Sequence, residues 1–250
     1  MKLSIVTINY NNIVGLEETI GSINKQIGIN KKDFEYIVID GLSGDGSQNI
    51  IKQSNIITGY KIEKDDGIAD AFNKGISLAS GEYLYFLNSG DIFYNENSLS
   101  NLINKLETNN CSLLIGKVAM VNNNNEILMI VGEEIDFEKQ VYRNYLPHQG
   151  MLIKKFFFDK YGNYDREYRL GMDYEWSTRL IKDYYKLNIK FIDDVVCRML
   201  EGGVSQTRYM DTFMAYHKAR VKNKIINKYY SYIISVFFIV RRSFGLWLKR

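Results

Sequence analysis

The residues best placed to do chemistry in this chain are carboxylates and amides that appear where apolar runs stop. "YLYFLNSGDIFY" (83–94) carries Asn88 and a single acid, Asp91, between two greasy stretches. "EYIVID" (35–40) ends in Asp40, and "SIVTINYNN" (4–12) sets Thr7, Asn9 and Tyr10 at the end of another such run. A carboxylate beside an amide oxygen can ligate a hard divalent cation, or it can simply close a turn around a residue such as Gly90. Further along, "GMDYEW" (171–176) offers Asp173 and Glu175 as proton acceptors, and "LPHQG" (146–150) offers His148.

Several other chemistries are excluded by spacing. The only other histidine is His217, so a histidine-based metal site has no second ligand nearby. Cys111 and Cys197 stand alone without CxxC spacing, which fits two buried thiols in a reducing compartment rather than a disulfide framework or zinc site. "DGLSGDGS" (40–47) has three glycines, but not the G-x-G-x-x-G order after a first strand, and no Gly-Lys-Ser/Thr occurs. Those glycines permit a turn.

Regular elements must position these groups. Leu3 to Ile8, 35–40, Tyr60 to Glu63 and Tyr83 to Leu87 read as buried strands. Between them, Leu16, Ile20, Ile23 and Ile27 recur at helical spacing, and Ile68, Ala71, Phe72, Gly75, Ile76 and Ala79 form one apolar helix face. Strands alternating with amphipathic helices predict an α/β fold built on a mostly parallel sheet, with ligands at the carboxyl ends of the strands. The second half is less regular. A hairpin is expected over 113–131, His148 is expected on a strand, and a helix near Asp173 to Tyr185 turns Trp176, Leu180, Ile181 and Tyr184 inward.

At 250 residues with one proline, Pro147, and no Ser/Gly/Pro-rich tether, the chain reads as one body, 1–210, with a tail, 211–250. Charge is uneven. Nine cations and no acid follow Asp211, so residues 1–211 stand at −6 although the whole chain is +3. A basic tail on an acidic body favours membrane headgroups over nucleic acid. "MKLSIVTINYNN" lacks the long apolar run and cleavage site of a signal peptide, so a cytoplasmic body is expected.

Taken together, "SIVTINYNN", "YIVIDGLSGDGS", "DDGIADAFNKGISLASGEYLYFLNSGD" and "GMDYEW" resemble, in order and spacing, the family 2 glycosyltransferases, over about residues 1–205. The resemblance is closest to the bacterial enzymes of O-antigen, capsule and exopolysaccharide assembly. It implies a GT-A fold and inverting transfer of a sugar from a UDP-sugar to an undecaprenyl-diphosphate-linked saccharide. It further implies that Thr7, Asn9, Tyr10 and Asp40 hold the nucleoside, and that Asp66, Asp70, Asn73 and Lys74 line the donor pocket. Asp70 has an alternative role as a first-turn carboxylate on the helix dipole, and Asp40 as a cap with Ser43 or Ser47. Many relatives carry arginine where this chain has Phe72, which leaves the donor-phosphate contacts open. Members usually bind Mn²⁺ or Mg²⁺ through D-x-D after the fourth strand; here Asp91 is the acid and Asn88 stands at the earlier position. Asp173 matches the family's catalytic base, and no capping box with Trp176 explains it otherwise. His148 is an acceptor or donor-pocket contact, or a core histidine. "EGGVS" (201–205) is similar to a family loop near the diphosphate.

The tail segment "YYSYIISVFFIV" (229–240) is apolar over twelve residues, too short to span a bilayer, which takes about 20. Flanking lysines and arginines suit a helix lying in the interface at the inner face of the plasma membrane, through residues 222–250. A helix packed on the body, or a homodimer contact, is the alternative. Two further functions compete with glycosyl transfer: a sugar nucleotidyltransferase, whose glycine-rich basic loop "TINYNN" does not provide, and a membrane-attached scaffold that binds nucleotide-sugar without turnover.

Overall fold

Period-two alternation of apolar side chains decides how the central sheet is covered. The computed structural model describes residues 2–30 and 32–247. Its first half runs β1 (Leu3–Asn9), α1 (Ile13–Asn24), β2 (Phe34–Asp40), α2 (Ser47–Gln53), β3 (Gly59–Ile62), α3 (Ile68–Leu78) and β4 (Tyr83–Phe86). Leu3, Ile5, Tyr36, Val38, Tyr83 and Tyr85 point to one face, against Leu16, Ile20 and Ile23 of α1. Val6, Ile37, Ile39, Leu84 and Phe86 point to the other, against Ala71, Phe72 and Ile76 of α3. Both faces are therefore sealed by helices, as a parallel sheet requires.

The chain continues through β5 (Ile92–Phe93), α4 (Ser98–Asn109), β6 (Leu113–Val121), β7 (Ile127–Val131), β8 (Met151–Lys154), α5 (Phe156–Tyr161), α6 (Met172–Leu180), β9 (Ile189–Leu200), α7 (Val204–Thr207), α8 (Tyr209–Lys222) and α9 (Lys228–Trp247). Strand order is β3-β2-β1-β4-β8-β6-β9-β5, with β7 beside β6. The first four strands are parallel, and register sets Asn9 opposite Asp40 at the tips of β1 and β2.

Beyond β4 the sheet becomes mixed, and the hairpin expected over 113–131 is the antiparallel pair β6–β7. β8 runs antiparallel to both β4 and β6, and β5 and β7 also pair antiparallel. β9, a 12-residue strand, was not foreseen, because Asp193 and Asp194 and a register shift interrupt its alternation. His148 lies not on a strand but on a short 3₁₀ turn, His148–Gly150, leading into β8. The expected helix after Asp173 is α6 followed by a 3₁₀ segment, Ile181–Lys186. Cys111 and Cys197 are free and buried.

The tail is not a tethered appendage. Tyr216 and Ala219 of α8 join the core beside Tyr174, and α9 packs on α8. No helix among the described residues is long and apolar enough to cross a membrane. Lys249 and Arg250, counted among the tail cations, lie outside the described residues.

Candidate active site

The tips of β1, β2 and β4 meet at one edge of the sheet. The Ser89 amide donates to the Ile8 carbonyl, and Gly90 donates to Gly15, which ties the loop after β4 to β1 and α1. Here several expected ligand contacts turn inward. Thr7 is fully buried, donates to the Leu87 carbonyl and accepts from the Tyr36 hydroxyl. Asp40 is also fully buried, and its carboxylate accepts from the Ser43 amide and hydroxyl and from Asn9 Nδ2, at 2.7–2.8 Å. Both groups are engaged within the fold, where they shape the loop. A sequence reader sees a polar residue at a strand tip but not which neighbours have already claimed it.

Tyr10, by contrast, is 70% exposed at the same tip. Gly41 lies beneath it: a β-carbon there would stand 3.0 Å from the Tyr10 ring and 2.9 Å from Asp65 Oδ2. Absence of a side chain at 41 thus lets the tyrosine and the Asp65 carboxylate approach across the tip.

The central motif folds into a charge cluster at the start of α3. Lys74 Nζ reaches Asp65 at 2.7 Å, Glu63 at 3.0 Å and Asp70 at 3.1 Å, and donates to the Lys64 carbonyl. Partial burial works against the Lys74 charge, but the three acids outweigh it and hold its pKa above the usual lysine value. Asn73 makes a two-way bond with the backbone of Tyr164, Nδ2 to the carbonyl at 2.8 Å and Oδ1 from the amide at 3.0 Å. The side chains of Asn73 and Lys74 are thus engaged within the fold. Asp66 and Asp70 are partnered by cations that sequence reasoning missed: Arg169 meets Asp66 at 2.9 Å, and Arg166 meets both acids at 3.3 Å. Gly67, at φ 93°, permits the Arg169 approach; a β-carbon would stand 2.5 Å from its guanidinium.

This latch brings the segment before α6, which leads on to Asp173, against the donor motif. Gly171, in the left-handed region, opens α6 without a side-chain cap. Asp173 is half-buried, accepts from Asn144 Nδ2 at 2.7 Å, and has no salt bridge among the described residues. Glu175, the reserve acid, is 1% exposed and held by Arg179 and by Asn223, which removes it from consideration as a base. Asp173 and His148 line one small cavity of ≈ 10 Å³ together with Asn144, Tyr164, Trp176 and Ser177. His148 is boxed by Phe72, Phe86 and Tyr164, and its Nε2 lies 2.8 Å from the Tyr164 hydroxyl. Burial pushes its pKa below the usual value, against the pull of the Asp173 charge, so the ring is neutral at pH 7. Phe72 is therefore an element of this aromatic box.

Asp91 closes β4 but is only 6% exposed. Burial pushes its pKa up to about 7, with the Asn88 backbone and the Gln149 and Asn88 side chains working the other way. Asp91 Oδ2 and Asn88 Oδ1 are buried without a hydrogen-bond partner, as is Asn9 Oδ1. Asp91 has no salt bridge among the described residues. Two orphaned oxygens, one anionic, on one turn fit a hard divalent cation in kind. No group of three or more His, Cys, Asp or Glu stands ready to enclose an ion among the described residues, so water and substrate phosphate would have to complete its shell.

Comparison with known proteins gives this geometry its context. Residues 4–168 match the model of the family described as glycosyl transferase family 2. The chain is 27% identical over 181 residues to a PGL/p-HBAD biosynthesis glycosyltransferase of Mycobacterium bovis, spanning 70% of this chain and 69% of that protein. It is similar to the structure of Staphylococcus aureus TarS (1–349) in complex with UDP-GlcNAc, with a TM-score of 0.71 and 18% identity over 96% of this chain and 72% of that one. It is also similar to a mannosyltransferase from Pyrobaculum calidifontis in complex with GDP-Man and Mn²⁺, at TM-score 0.61 and 16% identity, covering 89% and 62% of the two chains. These structural likenesses show the fold, an α/β sheet of GT-A type.

Proposed function

The chain belongs to glycosyltransferase family 2, and on that footing we propose that it moves a sugar, with inversion, from a UDP-sugar to a lipid-linked saccharide of the bacterial cell envelope. The observation that carries this reading is Asp173: a half-buried carboxylate lining a small cavity with His148, hydrogen-bonded by Asn144 and free of a neutralising cation among the described residues. Asp173 takes the proton of the acceptor hydroxyl as its oxygen bonds to the anomeric carbon. The donor's C1–O bond breaks, and UDP leaves with the electron pair on the opposite face. Tyr10 offers an exposed ring face for the nucleobase. Asp66 and Asp70, with Arg166 and Arg169, form the rim on the donor side. Asn88 and Asp91 would hold Mn²⁺ or Mg²⁺, which when bound offsets charge on the departing diphosphate. UDP release from a panel of UDP-sugars, with a bacterial lipid extract as acceptor, tests the proposal. Release dependent on both components is expected. Release of pyrophosphate from UTP and a sugar phosphate instead would make the protein a nucleotidyltransferase, and binding without any release would make it a scaffold.

The same reading extends to the membrane. Tyr229, Ile233, Phe237, Val240 and Phe244 form one outward stripe on α9, each more than half exposed, while Ser231, Ile234 and Ser235 face the body. Lys228 and Arg241 flank the stripe, an arrangement suited to an anionic lipid surface on the cytoplasmic side, while Arg242 donates to the Gln206 carbonyl and covers the Tyr209 ring. Two such cations are worth about 2 kcal/mol near anionic headgroups. Vesicles containing phosphatidylserine should therefore bind the protein about 30-fold more tightly than neutral ones. The Phe237→Glu/Phe244→Glu variant should lose that binding. Equal sedimentation of variant and parent would refute the tail's role.

A further inference from the structure

We infer that Asn144 positions the Asp173 carboxylate, and that a buried polar chain running back to the C-terminal helix holds Asn144 in turn. The inference rests on the reading of Asp173 as the base. Asn144 Nδ2 donates to Asp173 Oδ2 at 2.7 Å, and Asn144 Oδ1 accepts from Gln140 Nε2 at 2.7 Å. Gln140 is fully buried; its Nε2 also donates to Ser177 Oγ, and its Oε1 accepts from the Tyr145 amide, both at 2.9 Å. Ser177 spends its own proton on the Tyr174 carbonyl, so toward Gln140 it can only accept. Each amide therefore has one permitted orientation. Turning Asn144 over would set its oxygen against a carboxylate and its NH₂ against another NH₂.

The backbone carrying Gln140 and Asn144 is anchored from the opposite side. Arg220 of α8, 1% exposed, donates to the Val141 carbonyl at 3.2 Å and the Tyr142 carbonyl at 2.8 Å. Its remaining donors go to the Ser231 hydroxyl and carbonyl, each at 3.0 Å, and to Ser235 Oγ, all on α9. Tyr174, next to Asp173, donates to the same Val141 carbonyl at 2.8 Å. No carboxylate pairs with this guanidinium among the described residues. Neutral oxygens from α9, from the 141–142 backbone and, at 3.5 Å, from the Tyr174 hydroxyl surround it, so each side depends on the other to keep a buried charge solvated. Ser231 and Ser235 are small enough to admit it. Arg220 and Gln140 are, on this account, positioning residues that act through Asn144.

A double-mutant cycle on the full chain tests the inference, with UDP release from UDP-GlcNAc as readout. Asn144→Leu should lower kcat by about 10–100-fold with the donor KM unchanged, and should cost less than about twofold once Asp173→Asn is already present. Asn144→Asp, of unchanged size, serves if the leucine variant fails to fold, and should lose at least as much through like-charge repulsion. Arg220→Lys should lower kcat less than Asn144→Leu does, again without moving KM. Losses that add in the double variant, or an unchanged kcat in both Asn144 variants, overturn the positioning role. A wild-type chain without UDP release, or an Asp173→Asn variant with undiminished release, overturns the base assignment itself, so the two failures are distinct.

Discussion

Asp173→Asn is expected to lower kcat by about 10²–10⁴-fold, the range general-base catalysis contributes, while donor affinity stays within about twofold. The substitution keeps the size of the side chain and an oxygen able to accept from Asn144, so α6 and the small cavity it lines with His148 should persist. What it removes is a group able to take a proton from the acceptor hydroxyl. His148 is no substitute, because it is 8% exposed and its Nε2 is engaged by Tyr164. Glu175 is no substitute either, since Arg179 and Asn223 hold it inside the fold. Steady-state UDP release gives the rate, and a thermal melt shows whether the fold is intact. Wild-type turnover in the variant would end the assignment.

Asp91→Asn should have two opposite effects, a more stable chain and a weaker response to divalent cations. In metal-free buffer the folded protein holds the Asp91 proton up to about pH 7, whereas an unfolded carboxyl releases it near its ordinary value of 3.8. Between those values the folded chain binds the extra proton, so stability falls as pH rises from about 4 to 7, and above 7 the whole penalty stands. Three pH units correspond to on the order of 4 kcal/mol. Asparagine carries no such penalty. The variant should therefore melt higher than wild type at pH 8, with the gap closing toward pH 4. Addition of Mn²⁺ at pH 8 should raise the wild-type melting temperature and leave the variant unmoved, because the ion requires the anionic oxygen. A variant no more stable than wild type at pH 8 would mean that the acid is already compensated. Equal stabilisation of both by Mn²⁺ would put the ion elsewhere.

Much of the fold was legible because local periodicity carried it. β1, β2, β4 and α3 each bury one residue set per face, and each was read from apolar spacing alone. The site was legible only where a motif ran continuously, as in 65–91 and 171–176. Residues that offer the same chemistry in sequence differ in what the fold leaves them. Tyr10, Asn88, Asp91 and Asp173 retain a free face, an unpartnered oxygen or an uncompensated charge, whereas Thr7, Asp40, Asn73 and Lys74 are consumed by the fold. The division is one of hydrogen-bond accounting: an amide or carboxylate advertises the same capacity in sequence whether or not a neighbour has used it. Gln140, Asn144 and Arg220 carried no signal at all, because the contacts that give them a role, Asn144 with Asp173 across 29 residues and Arg220 with Val141 across 79, form only through packing.

What the sequence by itself determined is the alternation of strands and helices, the family motifs, and an unusual tail whose cations follow Asp211. Those features are local: period, turn chemistry and charge distribution act within a few residues of one another. What only the tertiary structure decided is which polar groups remain available and where the tail packs. Arg220 counted as one more surface cation until packing enclosed it between α9 and the 141–142 backbone. Burial turns an indifferent charge into a strut, since a guanidinium withdrawn from water must find its acceptors within the fold, and those acceptors can come from anywhere along the chain.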